Sequence, residues 1–251
     1  MSEREEYTAE TYPSFGKKYN GEKAIISLTS WKARINTVSK TLYSLLTQCP
    51  GFHIVLVLSE EEFPKKMNAL PKNLKLLVDN ELIEIFWVYK NYKAFKKVLF
   101  TMNKYKDVPI ISADDDLIYI KNYADFLYNK WKVLNTYCIG LSSSYYKKTN
   151  NLWIAGLWGY AQLFPPHFID YLDFNIIKQI TNLGCIDDDT FYDIYRQKFN
   201  INAFSFQIQF NKNNFIINNN VNQNNCITNQ RINHKLNDKK IYEGLLNVNN
   251  R

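Results

Sequence analysis

The sequence predicts an α/β protein, with a mostly parallel sheet flanked by helices in a single domain, and three observations predict it. Short apolar runs suited to buried strands recur at residues 24–28, 52–58, 82–88 and 108–111. Segments with apolar residues at helical spacing lie between several of them, which is the order of a βαβ unit. The 251 residues are 46% hydrophobic and 16% aromatic, enough for a well-buried core and too apolar for a disordered main body.

Residues 1–22 are polar without a stable period and read as a loose arm. The first strand, AIISL, is followed by the loop TSWKARIN. Val38, Leu42, Leu45 and Leu46 then fall at i, i+4, i+7 and i+8, a helical stripe that Pro50 and Gly51 end. After the strand at 52–58, residues 60–67 read as a short helix or turn interrupted by Pro64, and LIEIFWV as the next strand. Phe95, Val98, Leu99, Met102 and Tyr105 mark an amphipathic helix leading into the strand at 108–111. Tyr123, Phe126, Leu127, Trp131 and Leu134 predict another helix, and residues 137–141 another strand. From Ser142 a polar loop gives way to NLWIAGLWGYAQLFPPHF, whose glycines and aromatics read as an irregular wall. Phe191, Ile194, Tyr195 and Phe199 form a last strong helical pattern. The domain is expected over 23–210, with 211–251 an Asn-rich C-terminal segment that ends in a short helix at 241–248.

A formal charge of +7 attracts phosphates, anionic lipid headgroups or nucleic acid. The lysines are dispersed and no Arg-rich helix or nucleic-acid motif is present, so no nucleic acid is expected as a partner. Cys49, Cys138, Cys185 and Cys226 lie far apart with no CxxC, which indicates neither a disulfide framework nor a zinc site. No apolar run approaches the ~20 residues of a membrane span, and MSEREEYTAE is too polar for a signal peptide. The expectation is a cytoplasmic protein whose basic surface allows peripheral contact with the inner face of the cell membrane.

The chemistry concentrates where VPII runs into Asp114, Asp115 and Asp116. In an open α/β sheet ligands bind beyond the carboxyl ends of the strands, so three acids there sit where a site would be. In an extended segment Asp114 and Asp116 share a face and can hold one divalent cation together with a diphosphate. The plain alternative is a solvated turn whose acids cap the next element. A second cluster, Asp187, Asp188 and Asp189, opens a helix; one of them serves as cap, and three exceed that need. Gly156 lets backbone approach a ligand and Trp158 offers a flat surface for a sugar or base, or both belong to an ordinary core. Thr29 and Arg34 lie on the loop after the first strand, placed to meet a nucleotide, with an ion pair the alternative for Arg34. Lys96 and Lys97 begin the helix that feeds the acidic strand, and one of them is expected to be solvated. His53, His167 and His234 are too scattered for a triad or a metal cluster. His234 can reach a metal or diphosphate, or is a surface residue.

Five segments, ISLTSWKARI, AFKKVL, IISADDDLIY, GLWGYAQLFPP and CIDDDTFY, resemble in order and spacing the motifs of a family of bacterial GT-A glycosyltransferases, over residues 24–200. Trp31 and Lys32 depart from the family's Tyr and Pro, Phe95 replaces a Tyr, and Trp158 and Gln162 intrude in its glycine-rich segment. The resemblance implies a Rossmann-like GT-A domain and a nucleotide-sugar-dependent, inverting transferase of surface polysaccharide or lipopolysaccharide assembly. Its metal, Mn²⁺ or Mg²⁺, is implied at Asp116 and Asp114. Asp114 and Asp115, with Thr29, Arg34, Lys97, Gly156 and Trp158, are expected around the nucleotide-sugar donor. The acceptor is expected to be a glycan or lipid-linked. Asp188, then Asp189, is the expected general base for its hydroxyl. A nucleotidyltransferase acting on sugar phosphates and a non-catalytic glycan- or membrane-binding module are the competing readings.

Overall fold

The computed structural model describes residues 12–142, 161–207, 216–218 and 232–246. Its first half runs β1 (Ser14–Gly16), β2 (Ile25–Thr29), α1 (Val38–Gln48), β3 (His53–Ser59), α2 (Lys72–Asp79), β4 (Glu84–Val88), α3 (Lys96–Lys104) and β5 (Ile110–Ser112). The second half runs β6 (Leu117–Tyr119), α4 (Tyr123–Leu134), β7 (Cys138–Ser142), β8 (Ala161–Phe164), α5 (Phe174–Asn182), α6 (Asp188–Lys198), β9 (Ala203–Gln207), β10 (Ile216–Asn218) and α7 (Ile232–Leu245).

Among the described residues, eight strands form one sheet in the order β1-β4-β3-β2-β5-β8-β7-β9. The run β4, β3, β2, β5 is parallel, β8 is antiparallel to both β5 and β7, and β7 and β9 are parallel. This is the mostly parallel, helix-flanked α/β architecture that the alternation of apolar runs predicts. Successive strand residues point to opposite faces, and both faces are covered. Ile26, Leu28, Ile54, Leu56, Ile85 and Ile111 pack with α1, α2 and α4, while Ile25, Val55, Val57, Phe86 and Ile110 pack with α3, α5, α6 and α7. Each such fully buried side chain contributes roughly 1.5–3 kcal/mol relative to exposure.

The chain builds outward from β2 through β3 to β4, then returns to the other side of β2 for β5. The crevice beyond the carboxyl ends of β2 and β5 is therefore the switch point at which an open sheet binds ligands.

Several elements differ from the sequence reading. The arm expected over 1–22 contributes β1, which pairs with β4 at the sheet edge. Gly16 permits this with φ +87°, where a Cβ would stand 2.3 Å from the Ile83 carbonyl oxygen. The helix α2 is short, and its stripe of Leu74, Leu77 and Val78 follows Pro71. Strand β8 occupies part of the segment read as irregular, because Ala161, Leu163 and Phe164 are buried between two neighbouring strands. The C-terminal segment joins the same body: β10 pairs with β6, and Tyr242 and Leu246 at α7 enter the core beside α5 and α6. Cys49, Cys138 and Cys185 are buried free thiols, each pushed up to about 12 mainly by burial. No described helix is long and apolar enough to cross a membrane.

Candidate functional site

Five elements meet at the switch point. The turn between β2 and α1 carries Ser30 and Arg34, and its backbone is set by Arg34 N donating to the Trp31 carbonyl (2.9 Å) and Val38 N donating to that of Arg34 (3.1 Å). The turn between β5 and β6 carries the three acids. It is fastened to α1, where the Thr41 hydroxyl lies 3.0 and 2.8 Å from the carbonyls of Asp115 and Leu117, and Ser44 Oγ accepts the Tyr119 amide (3.0 Å). Lys97 opens α3, whose first turn is pinned to β2 by Ser27, hydrogen-bonded to the Lys97 carbonyl and, at 2.7 Å, to the Thr101 hydroxyl. The strand β8 adds Gln162, and the first turn of α6 adds Asp188 and Asp189.

The acids are sorted by their partners. One guanidinium nitrogen of Arg34, Nη1, lies 2.9 Å from Asp115 Oδ1 and 2.7 Å from Asp116 Oδ2. The Ser30 hydroxyl donates to the other Asp115 oxygen at 2.6 Å. The Asp114 amide donates to the Tyr119 hydroxyl (2.9 Å), and its carboxylate turns to Lys97 Nζ at 2.8 Å. That ammonium also lies 3.2 Å from Asp188 Oδ2, so a single lysine joins the two acidic clusters. Gln162 ties β8 to both sides: its amide donates to Ser112 Oγ (2.8 Å) and its side-chain nitrogen to Asp189 Oδ1 (2.7 Å). Asp187 is the cap of α6, accepting from the Thr190 amide (3.3 Å) and hydroxyl (2.7 Å).

Burial and crowding set the electrostatics. Burial pushes the Asp115 carboxyl up to about 6 against the pull of Arg34 and Ser30. Asp116 is raised by burial and by Asp114, with Arg34 opposing. Asp188 is raised by burial in spite of Lys97, and Asp189 is raised well above the usual carboxylate range by burial and then by Asp188. Burial penalises the Lys97 ammonium, but Asp114, Asp188 and Asp189 outweigh it and hold its pKa well above that of a free lysine.

In these contacts four carboxylates, those of Asp114, Asp115, Asp116 and Asp188, meet two cations, Arg34 and Lys97. That surplus of negative charge fits a divalent cation, and Asp114 is open enough to meet one, with 32% of its side chain exposed. Among the described residues no group of three or more His, Cys, Asp or Glu side chains is gathered to hold a metal ion. A divalent cation there would therefore need phosphate oxygens and water to complete its shell.

Of the residues singled out in the sequence, Arg34, Lys97, Asp114, Asp115, Asp116, Asp188 and Asp189 come together. Thr29 does not join their hydrogen bonds: its hydroxyl donates across the sheet to the Val57 carbonyl at 2.7 Å. The extended-segment geometry is corrected, because Asp115 and Asp116 lie in a tight turn and share Arg34 while Asp114 faces Lys97. Lys96 is not solvated; it is buried, with Nζ bonded to Asn91 Oδ1 (2.9 Å), Glu62 Oε2 (3.2 Å) and the Lys93 carbonyl (3.2 Å). Gly156 and Trp158, and the side chain of His234, lie outside the described residues. Sequence reading missed Ser30 and Tyr119, which carry no distinguishing local pattern. Gln162 left a signal, as the one polar side chain in the buried run AQLF.

No protein-family model matches the chain, and no significant match is found among curated proteins. Among solved structures, the chain is similar to the crystal structure of the glycosyltransferase GlyE from Streptococcus pneumoniae TIGR4. The TM-score is 0.47 and the identity 14%, over 76% of this chain and 47% of that one. The chain thus spans less than half the length of that protein.

Proposed function

We propose that the chain is a metal-dependent glycosyltransferase that moves a sugar from a nucleotide-sugar donor to a glycan or lipid-linked acceptor in surface polysaccharide or lipopolysaccharide assembly. Its place would be the cytoplasm, with peripheral contact at the inner face of the membrane. The observation that carries this reading is the Lys97 bridge. One ammonium, 2.8 Å from Asp114 and 3.2 Å from Asp188, brings the acids that would hold a cation and the acids that would accept a proton to one crevice at the switch point. Transfer of a sugar from a diphosphate needs those two groups within a substrate's length of each other.

Asp114 and Asp116 would hold Mn²⁺ or Mg²⁺, which when bound neutralises the charge that builds on the departing diphosphate. Arg34 supplies planar donors suited to phosphate oxygens, and Asp115, held by Ser30, orients it. Asp189 is the better general base of the pair. Asp188 is paired with the Lys97 ammonium, which stabilises its ionised form, whereas Asp189 is crowded by burial and by Asp188 and binds a proton more firmly. Gln162 orients its carboxylate. The acceptor hydroxyl would pass its proton to Asp189 as its oxygen bonds the anomeric carbon and the bond to the diphosphate oxygen breaks, which inverts that carbon.

The test is a panel of UDP-, GDP-, CMP- and dTDP-sugars, read by thermal shift and by slow donor hydrolysis with Mn²⁺, with Mg²⁺ and with EDTA. Metal-dependent stabilisation by one donor, with release of its nucleoside mono- or diphosphate, is the expected result. Stabilisation that EDTA leaves unchanged would remove the metal from the scheme. Pyrophosphate release would replace the scheme with nucleotidyl transfer.

A further inference from the structure

We propose that Asp238, on the C-terminal helix α7, is a positioning residue for the acid pair Asp188 and Asp189, an inference that rests on the function proposed above. A single oxygen of Asp238, Oδ2, accepts the backbone amides of Ile186 (3.0 Å) and Asp187 (3.2 Å), the two residues that precede the pair. The residue is buried, at 4% exposure. Carboxylate hydrogen bonds from backbone amides in such a setting are among the stronger ones in proteins.

The segment that Asp238 grips decides where α6 starts. Asp187 caps that helix through Thr190, and the Asp188 amide donates to the Ile186 carbonyl at 3.1 Å. A displacement of residues 186 and 187 would therefore carry both acids away from Lys97 and Gln162. The same helix reaches the other half of the bridge. The Tyr242 hydroxyl lies 3.4 Å from Asp238 Oδ2. Its ring packs edge-on against Phe191, just after the acids (5.5 Å), and against Phe95, just before the helix of Lys97 (6.5 Å). Asp238 and Tyr242 together make α7 a brace across the two elements that Lys97 joins.

A brace that only fastened α7 to the body would respond to any loss of packing there, and Leu246→Ala measures that response. Leu246 is buried in the core beside the same helix and takes no part in the site. Amide hydrogen exchange at residues 186 and 187 needs no substrate. It is expected to quicken at least about tenfold in Asp238→Ala relative to Leu246→Ala. Turnover is read as hydrolysis of whichever donor of the UDP-, GDP-, CMP- and dTDP-sugar panel the wild type cleaves fastest. In Asp238→Ala, kcat should fall about 10- to 100-fold with donor KM within about threefold, as for a misplaced catalytic group. Asp238→Asn, which keeps an oxygen acceptor at the same place, should recover kcat to within about threefold. Should Asp238→Ala fail to melt cooperatively, Asp238→Ser is held to the same limits. Unchanged exchange overturns the proposal, as do an equal kcat loss in Leu246→Ala and a kcat in Asp238→Ala within about threefold of wild type. A wild type that cleaves no donor overturns the proposed function instead, and leaves the exchange result to decide the positioning.

Discussion

Lys97 stands between carboxylates that would otherwise face each other with little water to screen them, so its removal leaves two acids uncompensated. Breaking a buried pair costs about 3–5 kcal/mol, and the lower part of that range applies because Asp114 is partly open to water. Lys97→Met keeps the bulk of the side chain and should lower the unfolding free energy by about 3 kcal/mol near pH 8, read from denaturant midpoints. The variant should regain stability as the pH is lowered, because Asp188, whose carboxyl burial raises, then takes up a proton and stops repelling its neighbour. A variant as stable as wild type at pH 8 would show that the bridge contributes nothing. The acids of α6 separate in the same way. Asp189→Asn should slow transfer by about 10² to 10⁴ with donor affinity kept, and Asp188→Asn by less than about tenfold. A general base works only when ionised. Since the Asp189 carboxyl is raised, the wild-type rate should fall on acidification at a pH above the ordinary carboxylate range. An acid limb at the ordinary position would remove Asp189 from the role.

The helices and strands that carry these residues are aligned by hydroxyls as much as by apolar packing. Ser27 of β2 grips the start of α3, and Thr41 and Ser44 of α1 grip the acidic turn, so each functional loop is tied to a buried strand or helix. At the far edge of the sheet, β1 depends on a glycine. Gly16 and Gly51 share nearly the same positive φ, +87° and +80°, but a Cβ at Gly16 would collide with the Ile83 carbonyl while one at Gly51 meets nothing within 4 Å. Gly51→Ala should therefore cost only the strain of the left-handed backbone, about 1–2 kcal/mol. Gly16→Ala should cost more, because β1 must shift away from β4 as well. Equal melting temperatures for the two variants would show that β1 adds nothing to stability.

Across the whole molecule, the acidic crevice at the carboxyl ends of the strands is matched by a buried polar cluster at their amino ends. Glu84, the first residue of β4, accepts from Lys104 Nζ (2.8 Å) and the Tyr105 hydroxyl (2.7 Å) and lies 2.6 Å from His53 Nε2. Burial alone would raise its carboxyl, but these hydrogen bonds outweigh burial and hold it down to about 2. A depressed carboxyl stabilises the fold above its unfolded pKa, near 4.5, and loses that contribution as the pH falls through the folded value. Glu84 should thus supply up to ~3 kcal/mol that disappears between about pH 4.5 and 2. In Glu84→Gln the melting temperature should start lower and depend less on pH in that window. An unchanged slope would place the acid sensitivity elsewhere, with Glu22, also held down to about 2 by Lys17 and backbone amides against burial, the next residue to test.

The chain's local pattern was enough to establish the layered α/β plan, most strands and helices of the first 141 residues, and two acidic clusters at the ends of elements. These are readable because the hydrophobic period and the position of a charge relative to an apolar run are properties of neighbouring residues. The antiparallel insertion of β8 and the docking of α7 left no such pattern. AQLF is too short to announce a strand, and α7 buries Tyr242 and Leu246 only because α5 and α6 present a surface to them. The division of labour among the acids was equally hidden. Asp187, Asp188 and Asp189 look alike in sequence, and what distinguishes them is Thr190, Lys97 and Gln162 respectively. Gln162 lies 27 positions from Asp189, and Asp238 lies 52 from Ile186. Which carboxylate is capped, paired or left crowded depends on partners brought together by folding, because charge and desolvation act through space and not along the chain.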